Sequence, residues 1–154
     1  MQYSIRSLNC LDSRSTADIF YEVFHRDDYS QLSWVWKYRS KRESVGIFNE
    51  DGDLLGFVLI LGHSRSLKFI GIHPKFQGLN LGSILLNHCL KTCMQDGSSL
   101  NLIPANTIVQ AWYQRHGFYI TRYFPSTNGT DGIIMNYHSK NTRSGVVSGR
   151  SKAD

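Results

Sequence analysis

The sequence predicts an α/β (α+β) fold, in which one mixed sheet carries helices on both faces. Its 154 residues are 41% hydrophobic, which fits a single domain with one core. Segments of strand-like and helix-like periodicity follow in the order strand, two helices, three strands, helix, strand, helix, two strands. The segment 54–61 contains no polar residue, which is typical of a strand covered on both faces.

The first half of the chain is predicted to contain four strands and two helices. Residues 3–8 alternate like a first strand. Residues 15–18, Ser-Thr-Ala-Asp, match a capping box with Asp in place of Glu, which predicts that the first helix begins there. The second helix is expected to place Leu32, Val35 and Trp36 on one face. The further strands of this half are expected at 45–48, 54–61 and 67–72.

The second half begins with the clearest helix, which follows Gly82 and repeats apolar residues every turn. Gly97 is expected to end this helix, because glycine suits the C-terminal cap position. We place the domain at residues 1–139 and predict a flexible basic tail at 140–154, which has almost no large apolar residues. The further elements are expected at 100–103 (strand), 106–116 (helix), 119–124 (strand) and 133–137 (strand).

Charge and composition exclude several classes of function. The net charge is +5, and the four basic residues and one aspartate of the tail account for +3 of it, so the domain has no nucleic-acid footprint. No apolar run is long enough to span a membrane, and the N-terminus lacks a signal-peptide pattern. We therefore expect an intracellular protein, cytoplasmic or nuclear, without membrane contact. The three cysteines have no spacing typical of a disulfide scaffold, and we predict no metal site.

A turn between a strand and a helix is the most informative feature of the sequence. Pro74 separates the strand from a segment that contains Gly78, Asn80 and Gly82, where the helix begins. A helix start offers unpaired N–H groups and the positive end of the helix dipole, so we predict a phosphate-bearing ligand at residues 77–83. The segment lacks the lysine of a Walker A loop and has neither the spacing nor the position of a dinucleotide fingerprint.

A second motif, at residues 106–118, lies further along the chain and is considered together with the turn. Residues 77–82 read Gln-Gly-Leu-Asn-Leu-Gly, and residues 106–118 carry Asn106, Tyr113 and a final Gly-Phe. Together they resemble the [Q/R]-x-x-G-x-[G/A] and N-x6-Y-x3-G-F motifs of the GNAT superfamily, the acetyl-CoA-dependent N-acetyltransferases. Asn80 replaces the middle glycine, which is a mild departure because asparagine tolerates positive φ. The resemblance implies about seven mostly antiparallel strands, with strands four and five separated to admit the cofactor.

The resemblance implies acetyl-CoA as the cofactor and assigns it to three parts of the chain. The turn amides would hold the pyrophosphate, and the fourth strand would pair with the pantetheine arm. Asn106 and Tyr113, two helical turns apart, would contact the arm, although Asn106 could be only a helix N-cap and Tyr113 only core packing. The implied cofactor-binding residues are Ile70, Gly71, Ile72, Gln77, Gly78, Leu79, Asn80, Leu81, Gly82, Ser83, Asn106, Tyr113 and Arg115.

The resemblance also assigns Tyr113 as the general acid. A phenol has a pKa of about 10 and stays protonated at neutral pH, so it can donate to the leaving CoA thiolate. Many members of the family use a glutamate on the fourth strand as the base, but residues 66–73 contain no carboxylate. His73 is the titratable candidate beside the turn, and a water chain to backbone carbonyls is the alternative.

The acceptor is expected to be a primary amine that attacks the acetyl group directly. Asp27, Asp28 and Tyr29 lie between the first two helices, where they could bind the second cationic end of a polyamine, although Asp28 could instead cap a helix. We therefore predict a small amine such as a polyamine as acceptor. The alternatives are a protein lysine or N-terminus, as in histone acetylation, and a non-catalytic acyl-CoA-binding domain. A monomer or homodimer is expected.

Overall fold

The computed structural model describes residues 2–25, 30–93, 98–125 and 131–138, in two units divided at residue 93. Every strand pairing within each unit is antiparallel. The predicted α/β (α+β) class with about seven strands is confirmed. The first unit contains β1 (Ser4–Ser7), α1 (Ser13–Phe24), α2 (Ser30–Tyr38), β2 (Val45–Phe48), β3 (Leu54–Leu61), β4 (Ser66–Ile72) and α3 (Leu81–His88). The second contains β5 (Ser99–Leu102), α4 (Thr107–Arg115), β6 (Tyr119–Pro125) and β7 (Asp131–His138).

The sheet of the first unit has the strand order β1-β2-β3-β4. Strand β3 is buried from Leu55 to Leu61. Because successive residues of a strand point to opposite faces, this pattern means that the sheet is covered on both sides. The prediction made from the apolar run 54–61 is confirmed.

Helices α1 and α2 share one hydrophobic cluster with this sheet. The rings of Phe20 and Phe24 on α1 lie 5.0 and 5.6 Å from the ring of Phe69 on β4. Leu32 and Val35 of α2 are buried in the same cluster, as predicted, and Trp36 is partly buried against it. Burial of one such large apolar side chain stabilises a fold by about 1.5–3 kcal/mol. Helix α3 contacts β2, β3 and β4 and buries Leu81, Leu85 and Leu86.

The second unit has the strand order β5-β7-β6 and carries α4. Helix α4 ends at Arg115, and Gly117, two residues later, adopts a φ of +96°. The amide of Phe118 then donates to the carbonyl of Tyr113 at 3.1 Å. The Phe118 ring is buried 5.2 Å from Tyr113 and 5.4 Å from Tyr137, so the pair Gly117-Phe118 closes the helix.

The predicted capping box at residues 15–18 is wrong. Helix α1 begins at Ser13, so Ser15 lies inside its first turn. A capping box lies instead on the short 3-10 turn Cys10–Asp12 that leads into α1, where Asn9 accepts from the amide of Leu11 and Asp12 accepts from the amide of Asn9. Arg6 holds the Asp12 carboxylate with hydrogen bonds of 2.9 and 3.2 Å. This contact from β1 sets where the helix begins, and a pattern local to residues 15–18 does not reveal it.

Several predictions reach beyond the described residues. The α-helical part of α3 ends at His88 and continues as a π-helical turn at Cys89–Cys93. The predicted cap at Gly97 and the predicted tail at 140–154 lie outside the described residues. The predicted separation of strands four and five stays a prediction. Among the helices that the structure describes, none combines the length and the apolar character needed to cross a membrane.

A buried ion pair fixes the turn between β3 and β4. Arg65, which adopts a φ of +54° in this turn, donates through Nη1 to Oε1 of Glu43. The Glu43 side chain is only 8% exposed. Burial alone would raise the pKa of Glu43, but hydrogen bonds from Arg65 and Ser40 outweigh it and lower the pKa below its ordinary value. The pair therefore stabilises the fold only while Glu43 is ionised.

We expect Glu43→Gln to lower the free energy of unfolding by about 1–3 kcal/mol at pH 7, because the buried Glu43 side chain loses the charge that binds the partly exposed Arg65 guanidinium. Since the folded-state pKa of Glu43 is lowered, its contribution is complete above the unfolded value of about 4.3 and is lost as the pH falls towards the folded value. Urea unfolding at pH 7 and pH 3 should show a smaller difference at pH 3. The exposed Glu50→Gln is the control, and an equal loss at both pH values would contradict the prediction.

Candidate active site

The connection between β4 and α3 folds into the turn that the sequence predicts. Strand β4 ends at Ile72, and Pro74–Phe76 form a single 3-10 turn. Gly78 and Asn80 then adopt positive φ values of +83° and +66°. Asparagine is among the non-glycine residues that enter the left-handed region at the lowest cost, so Asn80 can stand where the motif has glycine. Residues 77–80 are all exposed.

The start of α3 presents backbone N–H groups that have no acceptor within the helix. Asn80 is the N-cap residue, but its side chain makes no capping hydrogen bond. The first helical bond joins the amide of Ile84 to the carbonyl of Asn80 at 3.1 Å. The amides of Leu81 and Gly82 therefore have no intrahelical acceptor. The Leu81 side chain is buried, so this residue offers a ligand only its backbone.

Two side chains hold the turn in shape. Nδ1 of His73 accepts a hydrogen bond from the amide of Lys75 at 3.1 Å. Nε2 of Gln77 donates to the carbonyl of Ile72 at 3.0 Å and so ties the turn back to the last residue of β4. The amide of Phe76 also donates to the carbonyl of His73 at 2.8 Å. A turn restrained in this way loses less conformational entropy when a ligand binds.

The same contacts bear on the predicted role of His73 as a base. Because Nδ1 accepts the Lys75 amide, the neutral ring carries its proton on Nε2. A second proton would have to go to Nδ1 and would break this hydrogen bond. The geometry therefore favours a structural role for His73, and its role as a base stays a prediction.

The end of β4 is packed closely against β3. Ile70 and Ile72 are partly buried and alternate along the strand with the buried Phe69 and Gly71. Gly56 of β3 lies opposite Ile72, and a Cβ at this glycine would stand 2.8 Å from the carbonyl oxygen of Gly71. Only glycine fits there, which lets the two strands approach closely at the end of β4.

In the second unit, Asn106 caps α4. Its Oδ1 accepts from the amide of Val109 at 2.9 Å, so the N-cap interpretation is confirmed. Within the described part of the chain, the Nδ2 group of Asn106 has no hydrogen bond and can donate to a ligand. Arg115 is exposed in the last turn of the same helix.

Tyr113 is buried in the middle of an aromatic group. It is 4% exposed, and its ring lies 5.0 Å from Trp112 and 5.2 Å from Phe118. Burial raises the pKa of the Tyr113 phenol above its ordinary value. Tyr113 is therefore packed in the core, its catalytic role stays a prediction, and the same burial keeps the phenol protonated at neutral pH.

A polar cleft of about 300 Å³ lies beside His73 in the first unit. Three carboxylates line it, those of Asp12, Asp18 and Asp53. The pKa of Asp12 is lowered by its hydrogen bonds with Arg6 and Asn9, so this charge is compensated. Among the described residues, Asp18 and Asp53 have no cationic partner. The cleft can therefore attract a cation. The sequence does not reveal it, because its carboxylates come from two separate parts of the chain, the start of α1 and the turn before β3.

The predicted site residues fall into three groups. The structure keeps Ile70 to Ser83 together as one continuous strand, turn and helix start, and it places Asn106, Tyr113 and Arg115 on or beside α4. Asp27, Asp28 and Tyr29, which were predicted to bind the acceptor, lie outside the described residues. In the ranges that the structure describes, no three His, Cys, Asp or Glu residues are grouped so that they could hold a metal ion.

Comparison with known proteins gives one family and one fold. Residues 11–118 match the acetyltransferase (GNAT) family. The fold is similar to that of the ribosomal-protein-S18-alanine N-acetyltransferase from Escherichia coli, with a TM-score of 0.72 and 20% identity over 99% of this chain and 100% of that one. It is also similar to a spermidine N-acetyltransferase chimera of Vibrio cholerae SpeG and hSSAT, with a TM-score of 0.65 and 17% identity over 90% of this chain and 96% of that one. A third similar structure is that of the NatC complex bound to Gag peptide and CoA, with a TM-score of 0.65 and 11% identity over 90% of this chain and 99% of that one.

We expect Asn80→Val to weaken CoA binding about tenfold, because a β-branched residue resists positive φ and would turn the α3 amides away. Asn80→Gly accepts the same conformation and should leave the Kd within about twofold. Isothermal titration of CoA into the three proteins tests this. Wild-type affinity in Asn80→Val would contradict the prediction, and a large loss in Asn80→Gly would show that the asparagine side chain itself binds the ligand.

Proposed function

Because the chain belongs to the acetyltransferase (GNAT) family, we propose that it transfers the acetyl group of acetyl-CoA to a primary amine by direct attack. The enzyme is thus an N-acetyltransferase, for which acetyl-CoA supplies an activated thioester. One observation carries the proposal. The exposed turn ends in a left-handed Asn80 whose side chain does not cap α3, so the first amides of the helix are left to bind an anion.

The residues of the turn fit a pyrophosphate. The amides of Leu81 and Gly82 point out of the helix start, where the helix dipole also favours negative charge. Among the described residues, and apart from Gly78 and its two chain neighbours, no atom lies within 4 Å of the place where a Cβ of Gly78 would stand, so the approach to the turn is open. We assign the cofactor to the residues that the motifs indicate, namely Ile70, Gly71, Ile72, Gln77, Gly78, Leu79, Asn80, Leu81, Gly82, Ser83, Asn106, Tyr113 and Arg115.

Tyr113 is the proposed proton donor. Burial raises the pKa of Tyr113, so the phenol remains neutral and can donate a hydrogen bond. A thiol has a pKa of about 8.5, below that of the phenol, so complete proton transfer from tyrosine to a thiolate is uphill. The proposed role is therefore to stabilise the charge that develops on the leaving sulfur, through a donor whose position is fixed by packing.

The amine must lose a proton without help from β4. Strand β4, Ser66–Ile72, contains no carboxylate, and Nδ1 of His73 is occupied by the Lys75 amide. Neutralising an amine of pKa about 10.4 at pH 7 costs about 4.6 kcal/mol. We assign this step to water that relays the proton to backbone carbonyls or to the solvent.

A small polycationic amine is the proposed acceptor. The cleft beside His73 supports this, because Asp18 and Asp53 can bind a second ammonium group. The fold similarity to the spermidine N-acetyltransferase chimera is compatible with it. Asp27, Asp28 and Tyr29 remain proposed contacts of the acceptor.

The N-terminal amine of a protein is a second candidate acceptor. Its support is the similarity to the S18-alanine N-acetyltransferase, which extends over almost the full length of both chains. An α-amino group has a pKa of about 7.7–8.0, so its neutral form is more abundant at pH 7 than that of a polyamine.

Release of CoA from acetyl-CoA tests the function, with spermidine, a lysine peptide and an alanine-initiated peptide as acceptors. We expect turnover with spermidine, and Asp18→Asn should then raise the KM for spermidine several-fold, because an ammonium contact is lost. The exposed Glu50→Gln should leave that KM unchanged. Turnover with the alanine peptide alone would select the second candidate. Binding of acetyl-CoA with no turnover of any acceptor would leave a non-catalytic binding domain.

We expect Tyr113→Phe to lower kcat about a hundredfold, since loss of one hydrogen bond to a developing charge typically costs about 10²–10³-fold. The Kd for acetyl-CoA should stay within about twofold, because phenylalanine keeps the packing against Trp112 and Phe118. The control is Tyr119→Phe, whose ring is 45% exposed, and it should keep the wild-type rate. An unchanged kcat in Tyr113→Phe would remove this residue as the proton donor.

A further inference from the structure

The positive charge of the chain is distributed unevenly. Residues 30–42 contain four basic residues and no Asp or Glu. Residues 1–139 have a net charge of +2, of which this segment contributes +4, so the remainder is −2. The total charge predicts no nucleic-acid footprint, but its distribution places a basic segment at α2. The next residue, Glu43, is only 8% exposed and is paired with Arg65, so it does not neutralise the segment.

Three of these basic residues are exposed at the end of α2 and just after it, namely Lys37, Lys41 and Arg42. Among the described residues, Lys37 and Lys41 take part in no salt bridge. The fourth, Arg39, is engaged within the protein. Its guanidinium carbon lies 4.0 Å from the centre of the Trp36 ring, and its Nη1 donates to the carbonyl of Trp36 at 2.7 Å. Three cations are therefore presented to the solvent.

Two aromatic side chains lie among these cations. Trp34 and Tyr38 are 49% and 47% exposed, and their ring centres are 5.4 Å apart. They are four residues apart, so both stand on the exposed face of α2, whereas Leu32 and Val35 are buried in the core. Nζ of Lys37 lies 5.3 Å from the centre of the Tyr38 ring. The two rings form one exposed aromatic surface with a cation beside it.

We propose that the basic aromatic surface, formed by Trp34, Lys37, Tyr38, Lys41 and Arg42, binds single-stranded nucleic acid. Lysine and arginine bind phosphates of any sequence, and unpaired bases stack on aromatic rings. A duplex offers phosphates but keeps its bases stacked on one another, so it would use the cations alone. The surface shares no residue with the turn at 77–83 or with the acidic cleft, and it does not depend on the proposed acetyl transfer.

The exposed side chains of α2 suit a nucleic acid better than a lipid surface or an acidic peptide. A helix that lies in a membrane interface buries a broad apolar face there. The large aliphatic side chains of α2, Leu32 and Val35, are already buried within the protein, and the side chains that α2 exposes are polar, cationic or aromatic. An acidic peptide would use the cations but would leave the two rings without a partner.

Binding can be measured by the fluorescence anisotropy of a labelled, unstructured RNA of about twelve nucleotides, free and annealed to its complement. We expect the single strand to bind saturably, with a Kd at or below about 100 μM at about 50 mM salt. The duplex should bind at least about threefold more weakly, because its bases cannot stack on the rings. No saturable binding of the single strand, or equal or tighter binding of the duplex, would overturn the proposal. Displacement of the RNA by excess CoA would place it at the turn at 77–83 and would also overturn the proposal.

Substitutions of Trp34 isolate the contribution of stacking. Trp34→Leu keeps an apolar side chain but removes the ring, so the Kd should rise about tenfold while its salt dependence stays the same. Trp34→Phe keeps a ring and should recover most of the affinity. The control is Tyr123→Leu, at a residue that is 68% exposed on β6, and its Kd should stay within about twofold of the wild-type value. Circular dichroism shows whether each variant is folded, and wild-type affinity in a folded Trp34→Leu would overturn the proposal.

Substitutions of the lysines isolate the phosphate contacts. Lys37→Gln combined with Lys41→Gln should decrease the slope of log Kd against log salt by about 1.4, since each contact with a single strand contributes about 0.7. The control, Lys68→Gln with Lys91→Gln, removes the same charge from exposed lysines elsewhere and should leave the slope unchanged. An equal change in both double variants would overturn the proposal. Binding to phosphatidylserine vesicles that Trp34→Leu weakens, without binding of RNA, would assign the surface to a membrane instead.

Discussion

The fold depends on the burial of β3 between two layers of side chains. Strand β3 pairs with β2 on one edge and with β4 on the other, and its residues from Leu55 onward are buried. The last bond along β4 runs from the amide of His73 to the carbonyl of Leu55 at 2.8 Å. The chain can turn only after this bond, so the register of a central strand sets the position of an exposed turn. The turn in turn sets where α3 begins.

The candidate site divides its work between backbone and side chains. At the turn, the side chains hold the conformation of the backbone and do not themselves bind the ligand. His73 and Gln77 restrain the loop, and Asn80 supplies a conformation. The groups left for the ligand are backbone amides at the start of α3. In the second unit the proposed chemical group is a side chain, the Tyr113 phenol, and the aromatic rings around it fix its position.

Most elements could be predicted from the sequence because their signals are local. The apolar run of β3 and the pair Gly117-Phe118 each determine their own conformation, and the positive φ of Asn80 follows from the turn motif. The start of α1 could not be predicted, because a contact from Arg6 decides it. The acidic cleft could not be predicted either, since residues 12, 18 and 53 meet only in the folded chain. Among the described residues, the Thr16 hydroxyl lacks a hydrogen-bond partner because of how the surrounding residues pack, and the hydrophobic periodicity of the sequence does not predict this.

The left-handed conformation of Asn80 has a consequence for sequence variation at the turn. A ligand held by backbone amides does not depend on which side chains stand at 78–80, provided that residues 78 and 80 reach positive φ. Related chains can therefore bind the same ligand with different residue types at these positions. Glycine, asparagine and aspartate are expected there, because they adopt positive φ at the lowest cost. A substitution at this turn would be tolerated according to the energy that the new residue needs to adopt positive φ. A side chain that never touches the ligand could therefore still decide whether the ligand binds.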